Sequence, residues 1–267
     1  MKKFITLLLS AIMVLSLVAC GGKDTDKDTV KTDLDYVKDN GKLIVGITEY
    51  APMDYKDEKG NWIGFDAEMA TAFAEYLGVE VEFFVITDWG QKQMELKTKS
   101  IDCVWNGMTL NDEVKASMDC SNAYCKNQQV VVVKADKAEQ YATKESIADL
   151  TFAVEDGSAG EDQADANEWA KTEVENQAAT LQEVKAGASD AAIIDLLMAG
   201  AMIGEGTDYA DLAATVSLSE EEFGVGFRQG SNLVDELNKF LVEAYADGSM
   251  MKCAEKYGVQ KTIIEQK

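Results

Sequence analysis

The chain has 267 residues, enough for one large or two modest domains with sizeable cores. Apolar residues make up 46% and aromatic residues 8%, which argues against wholesale disorder. A formal net charge of −23 argues against a nucleic-acid partner, and the complete lack of histidine removes the commonest metal ligand and general base.

Lys2 and Lys3 give a positive start, and residues 4–18 are mostly apolar but too short for a comfortable membrane span, as in a signal-peptide core. Leu17-Val18-Ala19-Cys20 followed by Gly21-Gly22 resembles a bacterial lipobox, which implies cleavage before Cys20 and a diacylglyceryl group on it. Residues 1–19 are therefore read as signal peptide and 20–35 as the lipidated cysteine and a flexible tether, "KDTDKDTVKTD" having no apolar pattern.

Beyond residue 20 no repeat and no membrane-length apolar run appears; short β-type runs alternate with helical patterns. Residues 42–47 (KLIVGI) and 80–86 (EVEFFVI) read as strands, and between them residues 67–77 carry apolar side chains at helical spacing and stop at Gly78, a C-cap. A helix around 92–98 precedes a strand at 101–105 (IDCVW), and another helix starts at Asn111. Residues 129–134 (QVVVVK) read as a long buried strand, 150–154 and 190–195 as strands flanked by helices, and 222–227 as a further strand. Ser231 caps a helix running to Ala246, Gly248 ends it, and 250–257 form the last helix.

Strands alternating with helices imply an α/β architecture with mainly parallel sheets. In such sheets ligands sit outside the carboxyl ends of the strands. The loops at 48–55, 106–109 and 156–160, and Asp195, all follow strands and so share one address. Cys103, Cys120, Cys125 and Cys253 fit no zinc spacing, and free or paired thiols are both open in an exported protein. Of 25 basic residues only Arg228 is an arginine, so the usual bidentate carboxylate clamp is almost unavailable.

The stretches "YVKDNGKLIVGI", "YAPMDYKDEKGNWIGFDAEMATAFAEYLGVEVEF", "LKTKSIDCVWNGMTLNDEVKASMDCSNAY", "VEDGSAG", "ASDAAIID" and "FGVGFRQGSN", in this order and spacing, resemble the solute-binding proteins of polar amino-acid ABC importers over nearly all of the mature chain. The resemblance implies a two-lobed periplasmic-binding-protein-like fold, with lobe 1 at about 36–126 plus 221–267 and lobe 2 at about 127–220. Two hinge crossovers would join the lobes around a ligand cleft, and the ligand, touching both lobes, would favour closure.

The resemblance also implies a site. Gly107, Met108 and Thr109 lie just ahead of a helix start, where backbone N–H groups and a hydroxyl meet the ligand's α-carboxylate at the positive end of a helix. Asn111 reads as the cap. The family normally places an arginine where this chain has Val114, and Lys115 is about 100° further around the helix. Three explanations stand: the ligand lacks an α-carboxylate, the helix start and hydroxyls hold it unaided, or binding is weak or lost. Gly157-Ser158-Ala159-Gly160 matches the second-lobe loop, with Ser158 and Ala159 at the ligand, and it lacks the lysine and spacing of a phosphate loop. Asp195 matches the residue that holds the ligand's ammonium.

Tyr50 matches an aromatic lid or is a packed surface tyrosine, Met53 matches a softened aromatic wall, and Trp89 and Trp105 could line the cleft but read as core. Glu49, Asp54, Glu155 and Asp156 crowd the same mouth and, with Asp195, tilt it towards a cationic ligand head. The expectations are a non-enzymatic binding lipoprotein on the extracellular face of the cell membrane, with no catalytic residue, cofactor or metal. Its partners would be a small amino acid or amine, ABC permease subunits and, through Cys20, the membrane; no nucleic acid is expected, and the chain would be a monomer. The competing readings are a binding protein that feeds a sensor and a cyclohexadienyl-dehydratase-like enzyme on the same fold.

Overall fold

The structure, a computed structural model, describes residues 31–267, so the signal-peptide and lipobox readings, Cys20 included, lie outside the described residues. In chain order the elements are α1 (Asp33–Asn40), β1 (Lys42–Ile47), β2 (Tyr55–Lys56), β3 (Trp62–Ile63), α2 (Phe65–Leu77), β4 (Glu80–Val85), α3 (Lys92–Lys97), β5 (Cys103–Thr109), α4 (Asp112–Ser117) and β6 (Asp119–Cys120). There follow β7 (Cys125–Lys134), β8 (Thr151–Glu155), α5 (Ala159–Ala166), β9 (Ala170–Val174), α6 (Gln177–Ala186), β10 (Ala191–Asp195), α7 (Leu196–Met202), β11 (Leu212–Phe227), α8 (Leu233–Ala246) and α9 (Ser249–Tyr257). No helix among the described residues is long and apolar enough to cross a membrane.

Helix α1 begins inside the segment read as tether. Thr32 and Asp35 form a capping box around its first turn. The lone arginine anchors this helix: Arg228 donates from Nε to Asp33 Oδ2 at 2.9 Å and from Nη2 to Asp102 Oδ1 at 3.1 Å, and its Nη1 reaches the Ile101 carbonyl at 2.6 Å. Its guanidinium is thus committed to structure.

Among the described residues nine strands share one sheet, ordered β4-β1-β5-β11-β7-β10-β8-β9, with β6 beside β11. The expectation of a mainly parallel sheet holds only at its two ends, where β1 pairs in parallel with β4 and β5, and β8 with β10 and β9. The centre is antiparallel. β11 pairs with β7 from Leu212↔Lys134 to Phe223↔Cys125, and also runs antiparallel to β5. Both central strands are longer than their apolar cores, because their polar middles (Asn127-Gln128-Gln129 and Ser219 to Glu222) carry the chain from one half to the other.

Each half has its own core under one face of the sheet, around Ile101, Val104 and Met118 in one and Phe152, Ile193 and Trp169 in the other. A larger cluster, including Phe73, Trp105, Phe223 and Leu237 as well as Val132 and Ile194, covers the opposite face of both. Helix α2 supplies Phe65, Met69, Phe73 and Leu77 from one apolar stripe. All four described cysteines are free thiols, Cys103 and Cys125 buried and Cys120 and Cys253 half-buried.

Candidate functional site

One cavity lies where the carboxyl ends of β5, β8 and β10 converge. Its walls bring together Gly107, Met108, Thr109 and Val114 from one half with Ser158, Ala159 and Asp195 from the other. Trp89, Lys92, Gln129, Glu155 and Gln177 complete most of the lining. The halves touch across it. Lys92 Nζ donates to the Gly157 carbonyl at 3.0 Å, and Asn111 Nδ2 donates to Asp162 Oδ2 at 2.8 Å.

The first half-site differs from expectation in its backbone. Residues 106–109 form the last part of β5 and not a loop, with Met108 and Thr109 laddered to Gly224 and Phe223 of β11. The Gly107 N–H, expected to face a ligand, donates to Asp66 Oδ2 at 2.6 Å. Asp66 also accepts from the Tyr124 hydroxyl at 2.7 Å, and burial still pushes its carboxyl up to about 7. Gly107 has φ 56°, and a Cβ there would lie 2.5 Å from Tyr50 Cε1, so no other residue fits. Asn111 caps α4 by accepting from Val114 N–H at 2.8 Å. Val114 faces the cavity, at 5% exposure, and Lys115 is exposed outside it.

The second half-site is charged. Ser158 is 5% exposed and caps α5, its hydroxyl accepting from Glu161 N–H at 3.2 Å. Gly157 sits at φ 68° directly against Gly90, where a Cβ would approach the Gly90 Cα to 2.6 Å, so only glycine lets the halves meet. Asp195 does not cap α7 with its side chain; Asn127 Oδ1 instead accepts the Leu197 N–H at 3.2 Å. The Asp195 carboxylate accepts from the side-chain amides of Asn127, Gln129 and Gln177. Burial, then the charge of Glu221, holds its carboxyl well above the usual carboxylate range. Burial also pushes Glu155 up to about 8, against the pull of Lys92. Glu155 Oε1 and Gln129 Oε1, both buried, accept no hydrogen bond from any described residue.

Lys92 is a cavity residue that sequence reasoning missed. It is 6% exposed, its ammonium lies 4.9 Å from the centre of the Trp89 ring, and it donates to the carbonyls of Trp89 and Gly157. One of its three donors remains for the cavity it lines. Burial lowers its pKa, and the nearby Glu155 opposes that most. The available signal was local: Lys92 follows Trp89 by three residues at a helix start, so the two share a face.

Several expected contacts lie elsewhere. Tyr50 is 2% exposed and does not line the cavity; it packs edge-on against Phe223 behind Gly107, because the chain turns back through the Tyr50–Asp54 bridge. Met53 and Trp105 are in the core, at 0% and 1% exposure, and Trp89 belongs to the core of the first half and also forms a cavity wall. Of the four acidic residues expected at the mouth, Glu155 lines the cavity and Asp156 lies at the seam beside Gly90, but Asp54 is buried in the core and Glu49 is exposed.

The family model of the bacterial extracellular solute-binding proteins, family 3, matches residues 43–260. The arginine-binding extracellular protein ArtP of Bacillus subtilis (strain 168) is 33% identical over 266 residues, 96% of this chain and 98% of its own. The solved structure of holo ArgBP from T. maritima is 29% identical with a TM-score of 0.74, over 84% of this chain and 99% of that one. The ancestral amino acid-binding protein AncCDT-1, a precursor of cyclohexadienyl dehydratase, is 33% identical with a TM-score of 0.75, over 85% of this chain and 99% of its own. The fold is accordingly the two-lobed α/β fold of periplasmic binding proteins, with the cavity at the seam between the halves. The chain belongs to the bacterial extracellular solute-binding proteins of family 3.

Proposed function

We propose that this protein is the solute-binding component of an ABC importer, capturing a free amino acid or a related small amine by hinge closure and delivering it to a membrane permease. The observation that carries the reading is the set of buried acceptors in the cavity. Asp195, Glu155 Oε1 and Gln129 Oε1 converge there, two of them without a partner, which a ligand ammonium would satisfy. Lys92 adds one cation to the same cavity, in a place the family's arginine does not occupy. It supports an amino acid over a bare amine: a carboxylate would face Lys92 near Ser158 and Thr109, and the ammonium would face Asp195 and Glu155. A relative named for arginine fits a cavity with more carboxylates than cations.

In this reading lobe 1 is 33–126 plus 221–267, its start moved from 36 to the capped helix, and lobe 2 is 127–220. The two smaller cores, one confined to each half, support the division, and β7 and β11 are the hinge strands. Cys20 carries the lipid that holds the protein, as a monomer, on the outer face of the membrane. The protein is not an enzyme in this reading, because a dianionic dehydratase substrate would meet two carboxylates and, among the described lining residues, the lone side-chain cation of Lys92.

A thermal-shift panel of amino acids, their decarboxylated amines, polyamines and prephenate tests this. Cationic amino acids should shift the melting temperature most; a bound ligand at a hundredfold excess over Kd adds about 2.7 kcal/mol. No shift from any amine-bearing compound, or turnover of prephenate, would remove the reading.

A further inference from the structure

Asp195 and Glu221 meet on a shared pair of amides. Glu221 stands on β11 opposite Asn127 of β7, and Gln129 of β7 stands opposite Asp195 of β10. Asn127 Nδ2 donates to Asp195 Oδ1 and, at 2.5 Å, to Glu221 Oε1. Gln129 Nε2 donates to the same two oxygens, at 2.9 Å and 2.8 Å. The orientation of the Asn127 amide is set by its other end, which accepts from Leu197 N–H at 3.2 Å. One oxygen of each carboxyl thus sits on the same two nitrogens. Asp195 is buried and Glu221 half-buried, and two carboxylates bridged by the same two nitrogens cannot both ionise cheaply there.

We propose that Asp195, bridged to the neighbouring Glu221 carboxyl by the same two amides, keeps a proton in the ligand-free protein and releases it when a ligand ammonium arrives. Glu221 is then a positioning residue: it touches no ligand, yet it sets how strongly the site discriminates for cations and makes that affinity rise with pH. The inference rests on the reading of Asp195 as the ammonium holder. In the step, the carboxyl O–H breaks, its proton goes to solvent, and N–H···O bonds from the ligand ammonium form; nothing is oxidised or reduced. The pair goes from one negative charge to two as one positive charge arrives, so the charge of the site is unchanged. Because the pair spans β10 and β11, the proton also couples the cavity to a hinge strand.

The groups facing Asp195 are Glu221 from β11, Glu155 from β8, Tyr50 from the loop after β1 and Cys125 from β7, with Lys92 behind Glu155 and Asp66 behind Tyr50 and Cys125. Burial drives Cys125 up to about 12 and Tyr50 well above its ordinary value, so neither titrates near neutrality. Glu155 and Asp66, at about 8 and about 7, do, and they are common to wild type and a Glu221 variant. The sign follows from the raised carboxyl of Asp195. Its contribution to stability is fully present below its unfolded value of 3.8 and is lost as pH rises through its folded value.

Two measurements test the proposal. The first needs no ligand: melting temperature against pH for the full chain, E221Q and, should that variant not fold, D195N. Wild type should lose stability more steeply with rising pH than either variant; equal slopes overturn the retained proton. The second is calorimetric titration with L-arginine in phosphate and in Tris. Wild type should release more protons per arginine than E221Q, and its affinity should rise more steeply with pH, by up to roughly tenfold per pH unit. Equal proton release in wild type and E221Q overturns the proposal. If neither L-arginine nor the rest of the panel binds, the amino-acid reading fails, while the ligand-free slopes still decide the proton.

Discussion

The two edges of the cavity are built on opposite principles. The β5–α4 edge satisfies itself: Gly107 N–H is held by Asp66, Asn111 caps α4, and Val114 presents a methyl surface. The β8–β10 edge leaves demands open, with Glu155 and Gln129 oxygens unpartnered beside Asp195. A self-satisfied edge gives shape and an apolar wall; an edge with unmet acceptors gives charge selectivity, because a buried acceptor gains most from the donor it lacks. In this reading the cation that complements a ligand carboxylate comes from neither edge but from α3, as Lys92, which also ties the first half to Gly157 in the second.

That contrast can be broken or sharpened by substitution. The largest effect is expected from Asp195→Ala, which removes the ammonium partner and leaves three amide donors unmatched. Ligand binding should weaken by about 2–5 kcal/mol, and the ligand-induced thermal shift should vanish; an unchanged shift would show that the second edge does not carry charge recognition. Lys92→Met comes next. Amino acids should lose about 1.5–3 kcal/mol of affinity while decarboxylated amines of the same side chain lose little, measured side by side by calorimetry. Equal losses for both ligand types would mean that Lys92 holds the lobes together without reading a carboxylate. The smallest effect is expected from Val114→Arg, which equips the first edge with a forked cation. It should favour an amino acid over its amine by about 1.4 kcal/mol, or tenfold. A drop in amino-acid affinity would place the carboxylate away from α4.

Much of the site was legible because its residues end strands. The β8 and β10 ends are short apolar runs closed by Glu155 and Asp195, so periodicity alone placed both near a common edge. The β5 end was misread as a loop because Asn106-Gly107 looks like a turn, yet Asn106 pairs reciprocally with Thr48 and β11 continues the ladder past it. Tyr50 and Met53 were misplaced for a related reason: a loop after a strand reads as cleft-facing, but this one folds back onto its own half and buries both. Lys92 was passed over as one lysine among many, since nothing in a single sequence separates a buried ammonium from a solvated one.

By itself the sequence determined the alternation of strands and helices, the glycines where the backbone must turn or approach closely, and the acidic second edge. These are properties of residue type and local spacing, which chain order preserves. Only the tertiary structure decided which acidic residues share the cavity, that Lys92 is its cation, and that Asp195 and Glu221 sit on the same amides. Those facts join residues dozens of positions apart across an antiparallel crossover of two long strands. Its register and side-chain directions are set by packing of the whole sheet and by no local pattern.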